Sequence, residues 1–155
     1  MKRLISTLAV LAVGVVLTPV ATAQDLDAIR KETLEHFVAL NAGDAAAHVQ
    51  HHMPQASSFG PAGGLLQEAN SREEQRTDLQ AQFDTGFKFN LQLRHLKVKV
   101  YGDAAVVTGY VVGTVTLPDG STQQVMDQRT AVLIKQGGQW KEVHSHSSPV
   151  AAQQQ

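Results

Sequence analysis

Residues 87–100 read FKFNLQLRHLKVKV, and their alternation of apolar and polar side chains is the clearest indication of the fold. Its apolar side chains occupy odd positions up to Leu93 and even positions from Leu96 onward. An alternation with a period of two predicts a β-strand with one face buried. The change of parity predicts an inserted residue near Arg94-His95, so we expect a β-bulge that keeps the same face directed inward.

Three further strands are predicted after this one. Turn-forming residues interrupt the chain at 101–104, at Pro118-Asp119-Gly120 and at Gly137-Gly138. The segments between these turns cover residues 105–117, 121–136 and 139–148, and the first two are rich in Val and Thr. Strands joined by short turns pair in sequence, so we expect a four-strand antiparallel meander.

Helical signals precede the meander. Leu26, Ile29, Thr33, Phe37 and Leu40 recur every three or four residues, which predicts an amphipathic first helix. A second, Ala-rich helix follows Asp44, and a third follows the capping box that starts at Ser71. Between these two helices, short apolar runs at residues 57–59 and 65–66 predict two brief strands. This order predicts an α+β domain whose curved, mainly antiparallel sheet wraps three N-terminal helices.

The first residues have the pattern of a cleavable signal peptide. Lys2 and Arg3 precede an apolar run that ends near Leu17, and Ala21-Thr22-Ala23 suits a signal peptidase. The run is too short to span a bilayer comfortably. We expect a leader at 1–23, a folded domain at 24–149, a disordered tail at 150–155, and a periplasmic or secreted protein without a membrane association.

Composition excludes several classes of function. The chain has no Cys, which excludes disulfides, thiolate metal sites and a cysteine nucleophile. The formal net charge is −1 without a basic stripe, so we expect no nucleic-acid partner. The sequence contains no nucleophile elbow, phosphate loop or dinucleotide fingerprint, and we expect no cofactor.

Three segments together suggest a family: Gly102-Asp103-Ala104-Ala105-Val106-Val107, Arg129-Thr130, and Gly138 to Ser148 with its Trp-x-x-x-His-x-His spacing. With them the chain resembles the SnoaL-like branch of the nuclear transport factor 2-like superfamily, which also includes the association domain of calcium/calmodulin-dependent kinase II. The resemblance implies a cone-shaped domain that encloses a pocket and usually forms a homodimer through its outer sheet face. Since this superfamily includes isomerases, cyclases, dehydratases and assembly modules, the resemblance implies no single activity.

His144 and His146 are the candidate catalytic residues. Two positions apart in a strand, they are expected to share a face with Trp140 and Glu142. A histidine there can act as a general acid or base and Trp140 can line the pocket. The alternative is structural, with both rings hydrogen-bonded within the sheet or across a dimer interface.

Arg129 and Asp127 are the candidate ligand anchors. They share one face of the neighbouring strand, where Arg129 can bind a ligand carboxylate and Asp127 can act as its ion-pair partner or as a base. If that face points outward, both are surface charges. Tyr110 on the adjacent strand is a further candidate donor, or else a packed tyrosine.

A second group of histidines, His48, His51 and His52, ends the second helix. Zinc binding is conceivable, but no carboxylate lies close in sequence, and we expect no metal. The family resemblance places this segment at the pocket mouth, which makes His52 a candidate pocket residue.

These observations predict an exported domain that binds a small apolar or carboxylate-bearing molecule, with acid/base turnover of the isomerase, cyclase or dehydratase kind as an open question. The rival is a non-catalytic dimerisation or docking module of the cell envelope. Thr108, Thr114 and Thr116 alternate as expected for an outer sheet face that packs against a copy of itself.

Overall fold

The computed structural model describes residues 22–151. Three helices and a mixed six-stranded sheet form an α+β domain, as the sequence predicts. The helices are α1 (Ala23–Asn41), α2 (Ala45–His48) and α3 (Arg72–Asp84), and a 3-10 turn at Val49–His51 follows α2. The strands are β1 (His52–Phe59), β2 (Gln67–Glu68), β3 (Lys88–Tyr101), β4 (Ala104–Thr116), β5 (Thr122–Gln136) and β6 (Gln139–Pro149).

The sheet order is β2-β1-β6-β5-β4-β3. The predicted meander of β3 to β6 is confirmed, with antiparallel pairing throughout. β1 is longer than the three-residue strand that the sequence predicts, and it pairs parallel to β6. The parallel pairing places His52, at the start of β1, beside Glu142 of β6.

The bulge predicted in β3 is confirmed. The β3–β4 register shifts between Arg94 and Lys97, and His95 has a positive φ of 54°. The apolar side chains on both sides of the bulge therefore face the helices.

Helix α1 lies against the concave face of the sheet. Its Thr22 side chain accepts from the Asp25 backbone N–H, which completes a capping box at the N-terminus. The predicted cleavage point after Ala23 falls one residue inside this helix, and most of the predicted leader and of the predicted tail lies outside the described residues. Within residues 22–151, no helix is long and apolar enough to cross a membrane.

Two apolar clusters fill the interface between α1 and the sheet. The larger contains the fully buried Ile29 and also Trp140. The indole N–H of Trp140 donates to Asp25 Oδ1 at 3.2 Å, so this tryptophan joins the start of α1 to β6. Phe37, Leu91 and Val111 form the second cluster toward the other end of the helix.

A second bulge, which the sequence analysis does not predict, changes the facing of β6. Leu133 pairs with Glu142 but Val132 pairs with His144, so Val143 is an extra residue on β6. Before the bulge, Glu142 faces the helices; after it, the inward residues are Ser145 and Ser147, both buried.

Candidate functional site

A cavity of about 650 Å³ lies between the helices and the concave face of the sheet. Its walls come from α1, α2, α3, β1 and the inward residues of β5 and β6. Apolar side chains, including Leu40, Val49 and Leu79, line part of it. Its base is polar, and its central members are His36, His48, His52, Arg129 and Glu142, which we name the polar centre.

Arg129 and Glu142 form the charged half of the polar centre. Arg129 Nη2 donates to both carboxylate oxygens of Glu142 at 2.7 and 2.8 Å. The side chains are only 14% and 11% exposed. Burial by itself raises the pKa of Glu142, but the charge and the hydrogen bonds of Arg129 outweigh it, so the pKa lies below its ordinary value and the carboxylate is ionised.

The three histidines of the polar centre come from different elements. His36 lies on α1, His48 is the last residue of α2, and His52 begins β1. Their ring centroids are 4.3 Å apart for His36 and His48, 5.0 Å for His36 and His52, and 4.8 Å for His48 and His52. His36 Nδ1 and His52 Nε2 are 3.1 Å apart, within hydrogen-bonding distance.

Burial keeps these rings neutral. It lowers the pKa of His48 to about 3 and lowers the pKa of His52, while the pKa of His36 falls well below its ordinary value because of burial and its histidine neighbours. The polar centre therefore combines neutral imidazoles with one internally compensated ion pair.

The residues around the polar centre fix its side chains. His48 Nδ1 lies 3.2 Å from the backbone oxygen of His36, to which it can only donate. Arg72 and Gln75 of α3 hold the start of β1 by donating to the backbone oxygens of His52, Met53 and Pro54. The amide orientation of Gln75 is thus set by two donations from its Nε2.

Two of the predicted site residues, Arg129 and His52, line the cavity. The partner expected for Arg129 is wrong: it binds Glu142, not Asp127. Asp127 does share the inward face with Arg129, but it is buried outside the cavity lining, and burial raises its pKa.

The expected facing of His144 and His146 is wrong, because the bulge at Val143 turns both side chains away from Glu142. They lie on the opposite face of the sheet, where both rings contact Phe59 at centroid distances of 5.9 and 5.7 Å. Ser57 Oγ is 2.9 Å from His144 Nδ1. Their catalytic role stays a prediction, and the cavity wall does not include them.

Trp140 and Tyr110 also lie away from the cavity. Trp140 is 3% exposed inside the apolar core, where it packs against the sheet and hydrogen-bonds Asp25. Tyr110 pairs with Gln128 on the outer face and is 42% exposed. The outer face has a second concavity of about 710 Å³, whose lining includes Tyr110 and His146.

His36 is a residue of the site that was not predicted from the sequence. The signal was present, since His36 follows Ile29 by seven positions and Thr33 by three and so lies on the buried stripe of α1. His51, expected to join His48 and His52, instead has its Nδ1 3.2 Å from a carboxylate oxygen of Glu32, and its ring lies 6.4 Å from that of His36.

Solved structures support the fold assignment. A ketosteroid isomerase-like protein from Erwinia carotovora is 20% identical, with a TM-score of 0.70, over 84% of this chain and 100% of that one. A proposed dehydratase of the nuclear transport factor 2-like family from Streptomyces avermitilis is 20% identical, with a TM-score of 0.70, over 83% and 98%. A proposed calcium/calmodulin-dependent kinase II association domain from Xanthomonas campestris is 21% identical, with a TM-score of 0.63, over 84% and 89%.

At these identities the likeness concerns the fold alone, and no curated protein matches the chain. The model of the SnoaL-like domain matches residues 31–153, which is most of the chain. The resemblance inferred from the Trp140 segment is therefore confirmed, and this chain belongs to the SnoaL-like domain family.

Proposed function

We propose that this protein binds a small, partly apolar molecule in the cavity, with the polar end of the ligand against the polar centre. The observation that carries this proposal is the buried Arg129–Glu142 pair, set beside three neutral imidazoles at the base of a cavity with apolar walls. Ligand pockets typically combine apolar walls with a few polar groups that fix orientation.

The chemistry of the polar centre supports hydrogen bonding to a hydroxyl or carbonyl rather than capture of a carboxylate by Arg129. Glu142 already compensates the charge of the Arg129 guanidinium, because Arg129 Nη2 donates to both of its carboxylate oxygens. The ionised Glu142 carboxylate is the proton acceptor of the site, so acid/base turnover is part of this proposal. The dehydratase assignment of the Streptomyces avermitilis protein is consistent with proton transfer in this fold.

The test is a pair of adjacent substitutions on opposite faces of β6. Ser147 lines the cavity, whereas Ser148 faces the outer surface. In Ser147→Leu the new isobutyl group would occupy cavity space, and Ser148→Leu is the matched control. Native mass spectrometry of protein purified from its own host should show a bound small molecule in the wild type and in Ser148→Leu but not in Ser147→Leu.

If nothing co-purifies, anilinonaphthalene sulfonate serves as the probe. We expect its binding to weaken in Ser147→Leu and to stay unchanged in Ser148→Leu. Equal binding by both variants contradicts the cavity as the binding site.

Self-association through the outer sheet face is a second candidate role, compatible with ligand binding. Tyr110 and Met126 are 42% and 60% exposed on that face, so they offer apolar surface that a second copy could cover. Light scattering should give the mass of a dimer for the wild type and of a monomer for Met126→Lys. A monomeric wild type contradicts this role.

We also propose export, supported by the Lys2-Arg3 start, the apolar run and Ala21-Thr22-Ala23. Sequencing the N-terminus of protein recovered from the periplasm or medium should find Gln24 first. Recovery of the full-length chain in the cytoplasm alone contradicts the proposal.

A further inference from the structure

The three histidines of the polar centre have the arrangement of a metal-binding triad. One ring nitrogen from each of His36, His48 and His52 lies within 4.8 Å of the other two. The rings come from three separate elements, so their convergence is a product of the fold rather than of local sequence. We propose that His36 Nδ1, His48 Nε2 and His52 Nε2 bind one divalent cation of the zinc type.

The protonation of His48 supports this choice of atoms. Its Nδ1 is 3.2 Å from the His36 backbone oxygen and must carry the proton to make that contact. The neutral ring then has its lone pair on Nε2, which is therefore the nitrogen of His48 that is free to bind a cation. Metal-ligating histidines commonly donate their second nitrogen to a backbone carbonyl in this way.

The orientation of His52 is supported by Gln75. Gln75 Nε2 donates to the Met53 and Pro54 backbone oxygens, and its Oε1 is buried without a hydrogen-bond partner. The Gln75 side chain also lies beside His52 in the wall of the cavity. An amide oxygen in this position suits a donating Nδ1–H of His52, which leaves Nε2 free to bind a cation.

The distances require only a small adjustment. Two ligands of a tetrahedral zinc ion at 2.0–2.1 Å are about 3.3 Å apart. His36 Nδ1 and His52 Nε2, at 3.1 Å, already have this separation. The largest separation allowed within the triad is 4.8 Å, so His48 would approach the other two by about 1.5 Å, which side-chain rotation can supply.

The charges near the triad set the chemistry of the cation. Glu142 Oε1 is 4.0 Å from His52 Nε2, so its carboxylate lies beside the proposed ion. Arg129 compensates Glu142 and opposes a second positive charge, which favours a cation that carries a hydroxide ligand. A fourth, open position toward the cavity would let a bound water meet a ligand, with Glu142 placed to accept its proton.

The direct test is a zinc titration of the untagged chain after removal of metals with a chelator. Calorimetry should show saturable binding of one zinc ion. We expect affinity to fall by roughly tenfold or more in His36→Gln and in His52→Gln. His51→Gln is the matched control, because His51 belongs to the same segment but binds Glu32, and it should leave the affinity unchanged.

The absence of saturable zinc binding overturns the proposal. So does a loss of zinc affinity in His51→Gln that equals the loss in the triad variants. If the triad variants fail to fold, X-ray absorption of the zinc-loaded wild type decides the question. Scattering from three imidazoles at about 2.0–2.1 Å supports the proposal, and a shell dominated by oxygen overturns it.

This inference goes beyond the proposed function and does not depend on it. Zinc binding is measured without an organic ligand, whereas the Ser147→Leu and Ser148→Leu comparison detects an organic molecule and not a metal ion. The failure of one is therefore distinguishable from the failure of the other.

Discussion

Replacing Arg129 by Met isolates the energetic role of the buried ion pair. Arg129 donates twice to Glu142, and the two side chains are 14% and 11% exposed. Removing the guanidinium leaves a carboxylate that neither solvent nor a cation compensates. Breaking such a pair from one side costs about 3–5 kcal/mol of the free energy of unfolding.

Urea denaturation of metal-free protein, followed by circular dichroism, measures this loss directly. Arg76→Met is the matched control, because Arg76 pairs with Glu73 on the surface of α3 with side chains 41% and 72% exposed. The control should cost no more than about 1 kcal/mol. Because both substitutions remove a guanidinium group, the difference between their losses in the free energy of unfolding measures the effect of burial.

The double variant Arg129→Met/Glu142→Met completes the cycle. Removing both charges also removes the uncompensated carboxylate, so this variant should be more stable than Arg129→Met alone. A loss below about 1 kcal/mol in Arg129→Met, or a double variant that merely adds two single losses, would refute a buried, coupled pair.

Three further substitutions test other parts of the structure. Ile29→Ala, at a fully buried position, should cost about 2–5 kcal/mol in urea denaturation. Hydrogen bonds from Lys135 and Thr22 hold the pKa of Asp25 below its ordinary value. The Asp25 carboxylate therefore stabilises the fold at pH values above its unfolded-state pKa, and this stabilisation is lost as the pH falls. Asp25→Asn should accordingly flatten the acid side of a pH–Tm profile. His146→Ala should leave probe binding in the cavity unchanged, since His146 is exposed on the outer face, and a large loss would restore its predicted catalytic role.

The sequence predicts the bulge in β3 but not the one in β6, and the difference is physical. In β3 the apolar side chains Phe89, Leu91 and Leu93 mark the inward face, so a change of parity is visible. Around Val143 both faces carry His, Ser or charged residues, because the inward face lines a polar cavity. The alternation of hydrophobic residues cannot show which side chains of a strand point inward when the buried face of that strand is itself polar.

The polar centre depends on contacts between distant residues that local patterns do not encode. His52 lies beside Glu142 because β1 runs parallel to β6, a pairing that joins residues nearly 90 positions apart, such as Ser57 and His144. Arg129 and His52 could be proposed as cavity residues from the sequence. The identity of the partners, Glu142 and His36, follows from tertiary structure alone.

Burying the ionisable side chains of the polar centre reduces the stability of the domain, and this loss argues that the polar centre has a function. Domains of this size have a net stability of only about 5–15 kcal/mol, and each buried ionisable group reduces it through desolvation. Apolar residues of similar volume would fill the same space more favourably, as Ile29 and Leu133 do elsewhere on the concave face. If Arg129→Met/Glu142→Met proves as stable as the wild type yet no longer binds the cavity probe, the ion pair is retained for ligand recognition and not for folding.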